Sequence, residues 1–423
     1  MMSKMQKIEN INHSTTIHNV DDGVLPATKA FHRISLAMFF AGFVTFSLLY
    51  CVQPLLPSFA SHFHVTPAES SLALSLSTGF LAFSILLSSA FSEALGRRGL
   101  MACSMLGAAL CNLAAAFAPS WHWLLVARAL EGIMLGGVPA VAMAYLAEEI
   151  SPKGLGKIMG LYVGGTAFGG MMGRVGMGIL IEWFDWHGAL AIIGVVDLIA
   201  AIIFYLLLPK PHHFIRHKGF DVRHHIHAWF GHIGSMRLLL IFCYIFLIFG
   251  VFVAILNYAN FRLSAPPFNL SPTQIGFVFL SFIAGMIVSP IAGSLTEKYQ
   301  RSNLLIAAVL ILFLGLICTL STSLIWFITG ITLITIGFFT AHSVASAWVG
   351  RIAVGAKGHA SALYLLFYYM GSSFIGAFGG WFWFKGGWTT VIIFTSCLLL
   401  LALIICFYLK KIAKVNEKNT KIL

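Results

Sequence analysis

The chain has 423 residues, of which 59% are hydrophobic and 9% charged. A soluble domain carries about 25% charged residues, so a soluble, disordered or nucleic-acid-binding protein is excluded. The net charge of +12 does not form a nucleic-acid patch, because 22 of the 26 Lys and Arg residues fall in the tails and in alternate gaps between apolar runs.

Each apolar run is about 20 residues long, which at 1.5 Å per residue matches the roughly 30 Å hydrocarbon core of a bilayer. Only helices or closed barrels satisfy the backbone in lipid. The expected fold is an all-α membrane protein. The first six helical spans fall at 34–56, 70–91, 98–119, 121–146, 157–181 and 187–208. Residues 209–236 form the long polar interruption, rich in His and basic residues. Six more spans follow at 237–261, 273–295, 303–320, 324–347, 360–383 and 388–409. The expected organisation is a tail over 1–33, a six-helix bundle over 34–208, a linker over 209–236, a second bundle over 237–409 and a basic tail over 410–423.

Basic residues are retained on the cytoplasmic side. They cluster before span 1 (Lys4, Lys7, Lys29, Arg33), after span 2 (Arg97, Arg98), after span 4 (Lys153, Lys157), in the linker, after spans 8 and 10, and in the last 14 residues. With twelve spans, all of these lie on one side. Both termini are therefore expected in the cytoplasm, and no cleaved signal peptide is expected, since the first 33 residues lack a short apolar core followed by small residues. The seven cysteines sit within apolar runs without a C-x-x-C pair, and the linker histidines have no closed ligand spacing. Neither a metal nor a cofactor is expected.

An ionisable residue in lipid costs about 2.5–3.5 kcal/mol on insertion scales, so each embedded one needs a partner, water or a neutral form. In span 4, Arg128 and Glu131 lie about 10 and 15 Å below Trp121 and share a helix face. They read either as a structural ion pair or as a proton carrier. Arg174 in span 5 and Asp197 in span 6 lie about 13 and 16 Å deep. Equal depth permits a salt bridge; alternatively both face a central cavity, where Arg174 would favour an anion. Candidate solute-contacting side chains are Tyr50 and Gln53 on span 1, Asn257 and Tyr258 on span 7, and the stripe Tyr364, Tyr368 and Ser372 on span 11. Gly164, Gly165, Gly169 and Gly170 in span 5 offer small-residue spacing for close helix packing.

An internal repeat relates the halves. Ser89 to Arg98 after span 2 and Gly293 to Arg301 after span 8 align with Glu93 and Glu297 separated by 204 residues, the offset that also carries Gln53 onto Asn257. Parallel six-helix repeats are an arrangement of secondary transporters. On these residues the chain resembles the major facilitator superfamily over essentially its whole length. Glu93, Gly96, Arg97 and Arg98 resemble its G-x-L-x-D-R-x-G-R-R loop signature, with Ser89 and Ala94 as departures. Arg128-Ala129-Leu130-Glu131-Gly132 resembles the R-x-x-Q-G motif of proton-coupled members, with Glu in place of Gln. Gly160 to Gly170 is similar to the glycine-rich antiporter motif without its Pro. Pro139 to Glu149 and Ala341 to Trp348 look like the bacterial inner-membrane permeases of arabinose-efflux or drug-efflux type.

The resemblance implies a proton-coupled transporter exporting a small organic solute by alternating access, and no enzyme. It implies Arg128 and Glu131 as candidates for coupling, to which Asp197 and Arg174 are added by their embedded position, and cavity walls on spans 1, 7 and 11. Glu93, Gly96, Arg97, Arg98, Gly293, Glu297 and Arg301 would serve the conformational switch. The implied partners are the solute, protons and the lipid bilayer. Uptake by symport, or a receptor that moves nothing, are the alternatives.

Overall fold

A computed structural model describes residues 23–26, 28–210, 222–355 and 357–420, leaving aside the side chains at 89–95, 140, 147, 152, 222–225 and 413–420. Ten helices in the described residues are long and apolar enough to cross a bilayer. One of them, Lys357–Ile412, is two spans, because the backbone leaves helical geometry at Gly386 and Gly387, the latter with φ of 62°. Pro152–Trp183, whose glycines and Arg174 dilute its apolar character, completes the twelve.

Local chemistry sets the ends. Span 1 starts at Lys29, inside the segment expected to be a tail, because the Thr28 hydroxyl accepts from the Phe31 N–H and caps the helix. It runs to Tyr50 and breaks into a 3-10 turn at Gln53–Leu55 before Leu56–Phe63. Pro54 and Pro57 supply no N–H, so the α-helical ladder cannot run through the turn. Spans 2 and 8 open alike: Thr66 with Glu69 and Ser271 with Gln274 form capping boxes around Pro67–Ser70 and Pro272–Val278. Leu72–Leu95 and Phe282–Lys298 continue these two spans.

Span 3 is Arg97–Ala116, and span 4 is Trp121–Leu135 continued by Gly137–Glu149. Span 5 begins five residues before the expected start, since its first turns hold Lys153, Lys157 and glycines that read as a loop. Span 6, Trp186–Leu207, is capped by Asp185, and the Gly188 N–H that it accepts holds its carboxyl below the usual carboxylate range. In the middle connection the helix Val222–Ile233 packs against spans 7 and 11. Spans 7, 9 and 10 are Met236–Ser264, Arg301–Cys318 and Leu324–Ile352. The helix of span 12 runs through the basic segment to Thr420.

Packing follows the repeat. Span 1 packs on span 5 as span 7 packs on span 11, span 2 on span 4 as span 8 on span 10, and span 3 on span 6 as span 9 on span 12. The result is two pseudo-symmetric six-helix bundles. Their outer surface carries Phe83, Leu87, Leu206, Ile317 and Ile404, each more than half exposed, as a bilayer-facing surface requires.

Span 5 owes its closeness to span 1 to glycine. A Cβ at Gly165 or Gly169 would strike the Phe39 or Phe43 backbone, and one at Gly173 would lie 2.8 Å from the Ser47 carbonyl. Gly164, expected in the same surface, faces open space, and Gly170 faces the Arg174 guanidinium and the Tyr50 ring. Both correct the expected packing surface, because at 100° per residue they turn away from the 165, 169, 173 stripe.

The helix ends define a terminal face, which holds both described ends and the middle connection, and an opposite face. Hydrogen bonds join the bundles nearer the opposite face. Gln53 Nε2 donates to Asn257 Oδ1 at 2.6 Å, and Ser373 Oγ to the Ser75 carbonyl at 2.7 Å. The Thr273 N–H and hydroxyl donate to Glu182 Oε1 and the Gly178 carbonyl. There Gly178 and Gly276 bring spans 5 and 8 into backbone contact.

Candidate functional site

The first polar centre grows out of the break in span 1. Where that helix turns at Cys51, the carbonyls of Leu48 and Leu49 are accessible to side chains. Arg128 takes them. It donates to the carbonyls of Leu48 at 3.4 Å, Leu49 at 3.1 Å and Ala73 of span 2 at 3.0 Å, and Nη1 donates to Glu131 Oε2. Both side chains are fully buried. Gly132 makes the approach possible: a Cβ there would meet the backbone of Ser77, whose hydroxyl donates to the Arg128 carbonyl at 2.8 Å. The expected i,i+3 pair is present, and it ties together spans 1, 2 and 4.

Asp197 joins this centre. Its carboxyl is fully buried beside Ser47 and within electrostatic reach of Glu131 and Cys51, with neither oxygen in hydrogen-bond geometry. The bridge to Arg174 is absent. Span 6 is lipid-facing through Val195, Val196 and Ile199, so Asp197, on the other side of the helix, turns into the first bundle. Depth along each axis matched; the rotation of the helices about their axes did not.

Arg174 forms a second centre between the bundles. Nε donates to Gln53 Oε1 at 2.5 Å and Nη1 to the Gly170 carbonyl. Its guanidinium lies 4.1 Å from the Tyr50 ring centroid, and 4.8 and 5.4 Å from Phe282 and Phe279 of the second bundle. Tyr50, Gln53 and Asn257, listed together as cavity candidates on sequence, are thus gathered around Arg174. Tyr258 is not: its hydroxyl donates to the Gly376 carbonyl at 3.0 Å, and it packs against Gly379 of span 11. It holds two helices of one bundle together.

The span 11 stripe packs within its own bundle, and Tyr368 also comes within electrostatic reach of Arg174. Tyr368 stacks on Phe249 with centroids 3.5 Å apart, and Tyr364 Oη lies 2.9 Å from His342 Nδ1. The Ser372 hydroxyl is buried without a hydrogen-bond partner. Phe252 and Phe338 extend this aromatic wall towards Phe282.

At the terminal face, Gly96 starts span 3 with φ of 85°. Arg97 grips Glu148 through two donors, Nε at 2.6 Å being one, and Arg98 donates to the Tyr205 carbonyl at 2.8 Å. Glu148 was not picked out on sequence, although its place at the last turn of span 4 beside Glu149 was visible. The Glu93 side chain lies outside the described residues. Glu297 is exposed, Gly293 sits near Ser343, and Arg301 has Arg351 as a like-charged neighbour. A cavity of about 980 Å³ forms an apolar groove on the flank between spans 2 and 11, past Phe80, Phe83, Met370 and Phe374, and neither charged centre lines it.

The family model of the Major Facilitator Superfamily matches residues 38–265 and 247–422. The chain is 42% identical over 400 residues to the Uncharacterized MFS-type transporter YybF of Bacillus subtilis (strain 168), covering 93% of this chain and 97% of that one. It is 42% identical over 382 residues to the Inner membrane transport protein YnfM of Escherichia coli (strain K12), covering 89% and 90%. In fold it is similar to an inward-facing, unoccupied bacterial homolog of the human lysosomal transporter Spinster, with a TM-score of 0.74 at 14% identity over 91% of this chain and 98% of that one. The nucleoside transporter NupG follows, with a TM-score of 0.72 at 14% identity over 89% and 99%.

Proposed function

The chain belongs to the major facilitator superfamily and is a multi-pass secondary transporter, and from that premise we propose that it couples proton movement to export of a small organic solute by alternating access. The observation that carries this reading is the buried centre in which Glu131 pairs with Arg128 while a second carboxyl, Asp197, lies within electrostatic reach of Glu131 with no ion pair of its own. One carboxylate balances Arg128, and the other carboxyl is neutral when protonated. The centre therefore changes charge by binding a single proton, and in lipid that change is strongly felt. It grips the break in span 1, so the proton acts on the helix that carries Gln53 to the closed face. Gly96, Arg97, Arg98 and Glu93 in one bundle, with Gly293, Glu297 and Arg301 in the other, serve the switch between access states. The clamp from Arg97 to Glu148 supports this by fixing the start of span 3 to the end of span 4. Export has its support in the resemblance to efflux-type permeases. Cells lacking the chain should accumulate the solute and overproducing cells should be depleted of it, as measured by metabolite comparison; the reverse pattern would make the protein an importer.

The terminal face is cytoplasmic in this reading, on the basic-residue asymmetry, so the face closed by the hydrogen bonds between the bundles is the outer one. In a background without native cysteines, an impermeant maleimide should label Asn269→Cys in intact cells and Lys210→Cys only after the cells are opened. Labelling of Lys210→Cys from outside would invert the topology.

A further inference from the structure

The centre in span 4 leaves one embedded cation without a counter-charge. Arg174 is 1% exposed, and among the described residues no ion pair includes it. Its electrostatic neighbours are Tyr50, Tyr368 and Cys51, none of them a carboxylate. A guanidinium has five N–H donors and no acceptor. Gln53 and Gly170 occupy two of these donors, and aromatic rings cover its surroundings. The Tyr50 hydroxyl beside it is also buried without a partner. A cation and a free hydroxyl face the same region, and what that region lacks is an anionic acceptor.

We propose that Arg174 and Tyr50 form the solute-recognition site and that the solute is an organic anion. Its carboxylate or equivalent oxyanion is received by the guanidinium and the Tyr50 hydroxyl. Its apolar part lies against Phe279, Phe282 and Tyr368, between the bundles. This rests on the transport reading and narrows it to a substrate class.

The same arrangement links binding to the closed face. Arg174 only donates, so Gln53 must turn Oε1 towards it, which leaves Gln53 Nε2 to donate across the interface to Asn257 Oδ1. An oxyanion on Arg174 competes with Gln53 for the guanidinium. Gln53 then loses the bond that orients it, and the link from span 1 to span 7 weakens. A ligand that binds the state with that link released better than the closed one shifts the population towards it.

The test uses the purified full chain in detergent, with thermal unfolding followed in the presence of matched compounds: benzoate, benzamide and benzylamine, then hexanoate, hexanamide and hexylamine. At least one carboxylate should raise the unfolding midpoint saturably, with its amide and amine at least about tenfold weaker. Arg174→Gln should abolish that shift, Arg174→Lys should keep part of it, and Tyr50→Phe should weaken it. Should Arg174→Gln fail to fold, Arg174→Lys and Tyr50→Phe carry the comparison. No stabilisation by either carboxylate, equal stabilisation by the amides, or a shift that persists in the variants would overturn the assignment. The measurement involves no gradient, so its failure leaves proton coupling standing, and a failure of coupling leaves anion recognition standing.

Discussion

Arg128→Ala should destabilise the purified chain by about 3–5 kcal/mol, the cost of removing one member of a buried ion pair. The truncation leaves Glu131 uncompensated and takes a donor from the carbonyls of Leu48, Leu49 and Ala73. These carbonyls belong to two other helices, so the damage spreads beyond span 4. Chemical unfolding in detergent, followed by tryptophan fluorescence, reads the effect directly. The double variant Arg128→Met with Glu131→Leu should recover much of the loss, since it removes both charges from a site that can be filled with apolar atoms. An Arg128→Ala protein that unfolds with the wild type would show that the guanidinium holds nothing together.

Glu131→Gln should cut pH-gradient-driven solute accumulation in proteoliposomes at least about tenfold, within the usual range of coupling free energies. Exchange of solute without a gradient should survive, because the amide keeps the size of the side chain and a hydrogen-bonding oxygen for Arg128. Asp197→Asn serves as the comparator. Loss of coupling in both variants means that the two carboxyls share the proton, and loss in one identifies its carrier. Wild-type proton flux and accumulation in Glu131→Gln would leave the pair with a structural role alone.

Much of this was legible in the sequence, and the limits have physical causes. Twelve spans could be read because an apolar run of bilayer length has few meanings in a chain so poor in charge. The pair of Arg128 with Glu131 could be read because i,i+3 spacing fixes two side chains on one helix, whatever surrounds it. Arg174 and Asp197 could not, because their contact depends on how two helices are turned about their axes. Hydropathy carries depth and says little of rotation. Gln53 and Asn257 emerged as equivalent positions of a repeat, yet their direct hydrogen bond needed the bundles to be closed on each other. The capping boxes at Thr66 and Ser271 follow a simple S/T-x-x-E/Q pattern, and a reading by apolar runs passes over them, since they stand where those runs have not yet begun.

The polar links across the closed face are individually weak. Polar contacts between membrane helices average about 0.6 kcal/mol, so the bonds from Gln53 to Asn257, from Ser373 to Ser75 and the two from Thr273 contribute roughly 2.4 kcal/mol, a factor of about sixty. Links of that size act as a latch rather than a lock. A ligand with a hundredfold preference for the other arrangement would outweigh their share, and losing one link would cut it by less than threefold. Polar links so shallow can be broken and remade at every turn of a carrier.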